Sequence, residues 1–451
     1  MFSKLLVANR GEIAVRIIRA CHDLGIEAVA VYSEADADSL HVALADEAVC
    51  IGPPISAKSY LSIEKIIDAA KETDASAVHP GYGYLSEKAA FAEACEDAGL
   101  IFIGPTPDNL RLAGDKIAAK KVMMDAGVPV IPSSENGVDS LEEAMSVSRD
   151  IGYPVMVKAS GGGGGRGIRI CADSAVLAEE FSVAKMEARA AFGNDAVFIE
   201  KVIQNPRHIE FQILADLSGH TIHLGERECT IQRRYQKLIE ESPSPFLDQK
   251  LRDAMGEAAV TAAKAVGYVN AGTIEFLVDS EGHFYFMEVN SRIQVEHPVT
   301  ELTTGIDLVR EQILLANGEH LSYSEKDIQK RGWAIECRIN AEDPQKHFFP
   351  SPGKVDKFRA PGGFGVRFDT HLYKGYELPV FYDSLVAKLV SFDLTRNGAI
   401  RIMKRALKEL VIGPVKTTIP FHLTIMDDPD FIRGDFDTGF IDRFLPEGEE
   451  D

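Results

Sequence analysis

Short apolar runs alternating with helical spacing organise the first quarter of the chain. Lys4 to Asn9 reads as a strand and Glu12 to Leu24 as a helix, with Ile13, Ile17, Ala20 and Leu24 recurring on one face after a turn at Arg10-Gly11. Ala28 to Tyr32 reads as a second strand. Ile63, Ile66, Ile67 and Ala70 mark another helix, Ala77 to His79 a further strand, and Glu87 to Ala98 a helix. Such β-α alternation predicts an open parallel sheet over residues 1–113.

The next strong pattern is a pair of apolar strands that each carry one acid. Thr273 to Val278 has Glu275 as its only charge, and Phe284 to Val289 has only Glu288. A buried carboxylate is costly unless cations or donors meet it. With Asp279 to Gly282 as a four-residue turn, Glu275 falls opposite Phe286, on the face of Glu288 and Asn290. Two carboxylates and an amide oxygen on one face suit a hard cation such as Mg²⁺. If Arg292 to Glu296 is extended, then Arg292, Gln294 and Glu296 share a face, which brings a fixed cation and a carboxylate base beside that cation site. A strand-end salt bridge is the alternative. In Gly332 to Asn340, Ile335, Cys337 and Ile339 point one way, leaving Glu336, Arg338 and Asn340 on the other. Arg338 then faces the site or pairs with Glu336 or Glu342.

Several loops and strand ends carry polar chemistry. His79-Pro-Gly-Tyr-Gly-Tyr-Leu-Ser-Glu87 leaves the first sheet at a strand's carboxyl end, where α/β ligands usually sit; a tight strand-to-helix turn explains it equally well. Lys116 lies in a helix, Asp115 to Met124. Lys158 ends a strand just before five successive glycines, Gly161 to Gly165, and Arg166. That run is either a linker or a loop whose bare N–H groups wrap phosphate oxygens. Ala196 to Val202 is an apolar strand ending at Glu200-Lys201, with backbone groups suited to a base edge or to nothing beyond the sheet. His208, Glu210 and Gln212 form the polar face of another strand. Glu226 to Lys237 is dense in charge, and Lys237 is a candidate to neutralise a transferred phosphoryl group. Short strands around Gly362 to Arg367 and Tyr382 to Ser384, with an amphipathic helix over Thr395 to Leu410, suggest a third domain.

Composition narrows the function classes. The formal charge of -21 over 451 residues argues against general polyanion binding, so no nucleic acid partner is expected. No apolar run approaches membrane-spanning length, and the first residues read as a strand, not a signal peptide. The six cysteines are widely spaced without a C-x-x-C pair and read as reduced thiols, which places the protein in the cytoplasm. The acidic tail 447–451 is expected to be solvated.

Together these residues resemble the biotin carboxylase family, a branch of the ATP-grasp ligases. The likeness runs from Leu6-Val-Ala-Asn-Arg-Gly-Glu-Ile-Ala14 through His79-Pro-Gly-Tyr-Gly and the Gly161 loop to Glu288-Val-Asn-Ser-Arg-Ile-Gln-Val-Glu-His-Pro298 and Glu336-Cys-Arg-Ile-Asn-Ala-Glu-Asp343. It implies an α/β and α+β fold: a Rossmann-like N-terminal domain over 1–113, an ATP-grasp domain over 114–319 with a mobile lid near 132–203, a mixed β C-terminal domain over 320–446, and the tail. By resemblance Lys116, Lys158, Gly163, Gly164, Gly165, Glu200, Lys201, Ile203, His208, Gln232 and Leu277 hold ATP, while Glu275, Glu288 and Asn290 hold Mg²⁺, or Mn²⁺ in its place. Glu296 deprotonates bicarbonate, Arg292 and Lys237 stabilise carboxyphosphate, Arg338 stabilises the biotin enolate, and Tyr82, Gln294 and Val295 line the biotin pocket. The implied enzyme is a ligase that carboxylates biotin on a separate carrier protein, alongside carboxyltransferase subunits. It serves acetyl-CoA carboxylase and fatty acid synthesis, or alternatively a two-subunit pyruvate or other oxo-acid carboxylase. Another ATP-grasp ligase and a non-catalytic nucleotide sensor are the remaining readings. A homodimer is implied, with Arg19, Phe364 and Arg367 at its contact. One departure is Tyr235, where the family often has His; a phenol titrates near pH ~10 and carries no positive charge.

Overall fold

The computed structural model describes residues 2–134, 136–159, 168–192 and 195–445. It forms two compact units, one of Met1–Val128, Arg207–Phe276 and Glu288–Asp451, the other of Pro129–Pro206 with Leu277–Met287.

The N-terminal sheet is parallel throughout, as the alternation predicts. Its strands are β1 (Lys4–Val7), β2 (Glu27–Ser33), β3 (Glu47–Gly52), β4 (Ala77–His79) and β5 (Ile101–Phe102), in the order β3-β2-β1-β4-β5. β1 is apolar from Leu5 to Val7 because both faces are covered there. Leu5 and Val7 pack with Ile13 and Ile17 of helix Gly11–Asp23, while Leu6 and Ala8 join Ile66 and Phe91 on the other side. Hydrophobic periodicity does not reveal β3, an edge strand whose Glu47, Ala48 and Cys50 are exposed, so that its short inward side rests on Val49 and Ile51. Beyond β4 the chain turns tightly around Asn9, whose Nδ2 donates to the carbonyls of Pro80 and Tyr82 at 2.7 Å each. Gly81 sits there at φ +64°, and a Cβ on it would stand 2.8 Å from Asn9 Nδ2.

The second unit contains an antiparallel sheet of β6 (Val155–Ala159), β7 (Ile168–Cys171) and β8 (Val197–Lys201) in the order β7-β6-β8. Val155, Val157, Cys171, Leu177 and Ile199 fill its core under helices Leu141–Ile151 and Ser174–Phe192.

Among the described residues the largest sheet has eight strands. β9 (Arg207–Ala215), β10 (Thr221–Arg233), β11 (Gln236–Ser242), β12 (Asn270–Val278), β13 (Phe284–Asn290) and β14 (Trp333–Asn340) run in the order β13-β12-β9-β10-β11-β14, continued by strands Leu385–Asp393 and Val366–Thr370. The β11–β14 pairing therefore carries one sheet across the stretch where 114–319 meets 320–446. Ile335, Cys337 and Ile339 of β14 enter the core with Leu389, Met403 and Leu407, as their alternation predicts. The register shifts between Ile339 and Asn340, so Asn340 leaves the pattern and bonds to Glu342 and Ser384 instead.

Two local expectations need correction. The β12–β13 turn is closed by Asp279 and His283, not by a four-residue turn: Asp279 N–H donates to His283 O at 2.9 Å, and Gly282 N–H to Asp279 O at 3.2 Å. The Asp279 carboxylate also accepts from the N–H groups of Glu281 and His283, and Gly282 takes φ +86°, which stabilises a three-residue loop. The opposition of Glu275 to Phe286 inferred from a longer turn does not follow. Arg292 to Glu296 is not an extended strand either. Glu296 is the N-cap of helix His297–Thr304, with ψ 11° and Pro298 in the first turn, so the period-two argument fails there. Among the described residues, no helix is long and apolar enough to cross a membrane.

Candidate active site

At the centre of the large sheet, three carboxylates from different segments meet one ammonium. Lys237 lies at the start of β11, just after the tight β10–β11 turn. Its Nζ donates to Glu210 Oε2 at 2.5 Å, Glu296 Oε1 at 2.6 Å and Glu275 Oε1 at 3.0 Å. Three donors meet three acceptors, so the ammonium is saturated. The cluster is walled by Arg227, wholly buried, which donates to Glu210, Gln212 (2.7 Å), Thr300 (3.0 Å) and Thr273 (3.1 Å).

Glu296 has no exposed surface. Its second oxygen accepts from Arg338 Nη2 at 2.9 Å, and Arg338 Nε donates to Glu240 at 2.5 Å. Burial alone would push the Glu296 carboxyl up, but Lys237, Arg338 and Arg227 hold it far below the ordinary range. Glu275 is held down in the same way by Lys237 and His208 against its burial. Burial would lower Lys237, yet Glu210, Glu275 and Glu296 keep it charged well above its usual value. Glu275 Oε2 meets His208 Nε2 at 2.8 Å, and Gln232 Nε2 donates to His208 Nδ1 at 2.6 Å, which fixes the proton on Nε2.

Although the loop is not extended, it still delivers its polar residues. Gln294 Nε2 donates to Glu275 at 3.1 Å and Arg292 Nη1 to Gln294 at 2.8 Å, while Arg292 Nη2 reaches Asn290 at 3.2 Å and its Nε pairs with Glu87 at 3.1 Å. Glu288 turns instead to Lys116, 2.9 Å away, and among the described residues it does not bond to Glu275 or Asn290. The expected biotin-side residues are joined through two that the sequence patterns do not single out. Tyr82 Oη donates to Glu12, Lys388 Nζ pairs with Glu12 at 3.1 Å, and the same Nζ donates to Val295 O at 3.0 Å. Lys388 does carry a signal: it is the lone charge in Leu385–Val390, just as Glu275 and Glu288 are in their strands.

In the second unit, Lys158 pairs with Glu200, and Lys201 Nζ donates to the carbonyls of Gly152 (2.8 Å) and Tyr153 (3.0 Å). Ile203 and Leu277 are partly buried. Gly163, Gly164, Gly165 and the tail 447–451 lie outside the described residues. Tyr235 takes φ +61° in the β10–β11 turn and is 78% exposed.

Three family descriptions match nearly end to end: "Biotin carboxylase, N-terminal domain" over residues 1–110, "Carbamoyl-phosphate synthase L chain, ATP binding domain" over 115–324, and "Biotin carboxylase C-terminal domain" over 336–443. The chain belongs to the biotin carboxylase family. It is 55% identical to "Biotin carboxylase 1" of Bacillus subtilis over 98% of this chain and 99% of that protein. It is also 54% identical to a pyruvate carboxylase subunit of Methanothermobacter thermautotrophicus, covering 98% and 90%. Among solved structures, a biotin carboxylase from Campylobacter jejuni in complex with a β,γ-ATP ligand superposes with TM-score 0.93 at 48% identity, covering 98% and 99%. The biotin carboxylase domain dimer of Hydrogenobacter thermophilus 2-oxoglutarate carboxylase, solved with MgADP, ADP and bicarbonate, superposes with TM-score 0.91 at 50% identity, covering 98% of each chain. The fold is thus the mixed α/β architecture of the biotin carboxylases, with a parallel N-terminal sheet and an antiparallel C-terminal sheet.

Proposed function

We propose that the protein carboxylates biotin borne on a separate carrier protein, using ATP and bicarbonate through carboxyphosphate, as the first half-reaction of an acetyl-CoA carboxylase. The observation that carries this reading is the Glu296 carboxylate, sealed from solvent between Lys237 and Arg338. Glu296 takes the bicarbonate proton at its carboxylate. Lys237 and Arg292 meet the anionic oxygens of the activated intermediate, and Arg338 meets the biotin enolate. Tyr82, Gln294 and Val295 shape the biotin side. In the first unit the nucleotide-binding candidates are Lys116, His208 and Gln232; in the second they are Lys158, Glu200, Lys201, Ile203 and Leu277. Glu275, Glu288 and Asn290 offer oxygen donors, and among the described residues Glu288 is held by Lys116, an exposed lysine, so the chemistry of the set fits a hard divalent ion. Mg²⁺ bound there supplies positive charge to the nucleotide phosphates.

ATP hydrolysis should depend on bicarbonate and rise when free biotin is added; turnover indifferent to both would remove the reading. The 54% identity to the Methanothermobacter pyruvate carboxylase protein favours a second final acceptor. Capturing the biotinylated partner and identifying the transferase attached to it decides between acetyl-CoA and an oxo acid. We also propose a homodimer. Phe364 is 94% exposed and Arg19 is exposed, while Arg367 is already engaged by Glu301 at 2.6 Å and Asp369 at 2.7 Å. Phe364→Asp should therefore shift sedimentation from dimer toward monomer, and an unchanged dimer would exclude this surface.

A further inference from the structure

Glu336 is a buried acid with no part in the chemistry above. On β14 it stands directly across from Glu240 of β11, and both are wholly buried. Among the described residues, neither oxygen of Glu336, nor Oε2 of Glu240, has a hydrogen-bond partner. On its other edge Glu336 faces Val390, and Val390 packs with Ala334 and Val299 in an apolar cluster. Directly opposed side chains on neighbouring strands lie about 5 Å apart at Cβ. Two buried carboxyl groups on side chains so opposed repel each other when both are ionised, which favours a single proton shared between them.

The charges around the pair come from every strand beside it. Arg338 Nε grips Glu240 Oε1, and its Nη2 reaches Glu296. Lys388, across from Arg338 on the neighbouring strand, is paired with Glu12. Lys237 and Glu296 face Glu240, and Lys388, Arg338 and Glu296 face Glu336. The nearby thiols Cys229 and Cys337 are kept neutral by burial. Burial pushes Glu240 up to about 7 against the pull of Arg338, and pushes Glu336 well above the carboxylate range.

We propose that Glu240 and Glu336 act as one carboxyl pair holding a single proton, and that this pair positions Arg338 between Glu240 and Glu296. With one proton the pair carries one negative charge, matched by the guanidinium. When that proton passes to solvent as pH rises, a second negative charge appears beside Arg338 and draws it from the base and the biotin side. Biotin-stimulated turnover therefore has an alkaline limit set by the pair.

The kinetic part rests on the biotin carboxylase reading. Glu336→Gln should move the alkaline midpoint of biotin-stimulated ATP hydrolysis upward by about one pH unit or more. Glu240→Gln should lower the biotin-stimulated kcat about tenfold, with the KM for ATP unmoved, and Glu240→Asp should recover part of the loss. An alkaline limb in Glu336→Gln identical to that of the unmodified protein overturns the proposal. A second measurement needs neither turnover nor a folded variant. With isotope-labelled glutamate, difference infrared spectra of the unmodified protein between about pH 6 and about pH 9 should show a buried carboxylic-acid band that disappears on the alkaline side. No such band sinks the pair, whatever the kinetics. If instead ATP hydrolysis ignores bicarbonate and biotin while the band titrates, the functional reading fails and the pair stands.

Discussion

Glu296→Gln should lower bicarbonate-dependent ATP hydrolysis by at least about 10²-fold, the scale of a lost general base. The amide keeps the size of the side chain and can still accept from Lys237 Nζ or Arg338 Nη2, so the site remains filled. Lys237 retains Glu210 and Glu275, and Arg338 retains Glu240, so neither cation is stranded. What the amide cannot do is take a proton. The unmodified carboxylate is also a poor base while both cations grip it, since they hold it far below the ordinary range. A useful base titrates near the working pH. On the proposed reading, bicarbonate draws Lys237 and Arg338 onto its own oxygens, and as they leave, the affinity of Glu296 for a proton rises. Steady-state rates with a thermal melt as a folding control check this, and a variant that folds and keeps its bicarbonate-dependent rate would show that the proton goes elsewhere.

How far the chain can be read from its residues depends on whether its chemistry is local. β14 and the first helices are legible because one period governs each and burial follows it, and β1 because an unbroken apolar run is buried on both faces. Glu275 stands out because it is the only charge in an apolar strand, and in the structure it is buried on Lys237 and His208. Gln294 and Glu296 follow from a strand geometry that does not exist. They reach the cluster from a turn and a helix N-cap, so their proximity survives while the stated reason does not. Arg227, Glu240 and Glu12 escape notice because each sits among other polar residues, and only pairing with distant strands reveals what it holds. The partner of Glu288 illustrates the same limit: Lys116 lies 172 positions away, and no spacing rule links them.

Lys237→Met should harm folding as well as activity, to a degree that depends on pH. Methionine replaces the chain's length but supplies no charge to Glu210, Glu275 and Glu296, which all lie within 3.0 Å of the ammonium. Breaking a buried ion cluster by removing one partner costs about 3–5 kcal/mol. The raised folded pKa of Lys237 gives a contribution that is full below its unfolded value near ~10.4 and fades as pH rises through the folded one. Glu275 and Glu296 are depressed, so theirs is present above the unfolded value near ~4.3 and fades as pH falls through the folded ones. Without the lysine these acids lose the cation that depresses them, and they recover protons at a higher pH than before. The stability deficit against the unmodified protein should therefore be greatest near neutrality and shrink toward about pH 5. Urea unfolding at both pH values reads the difference directly. A deficit of equal size at each would mean that Lys237 acts through the packing of its stem, whereas a deficit that narrows with acid ties it to Glu275 and Glu296, whose carboxylates it holds in their charged form.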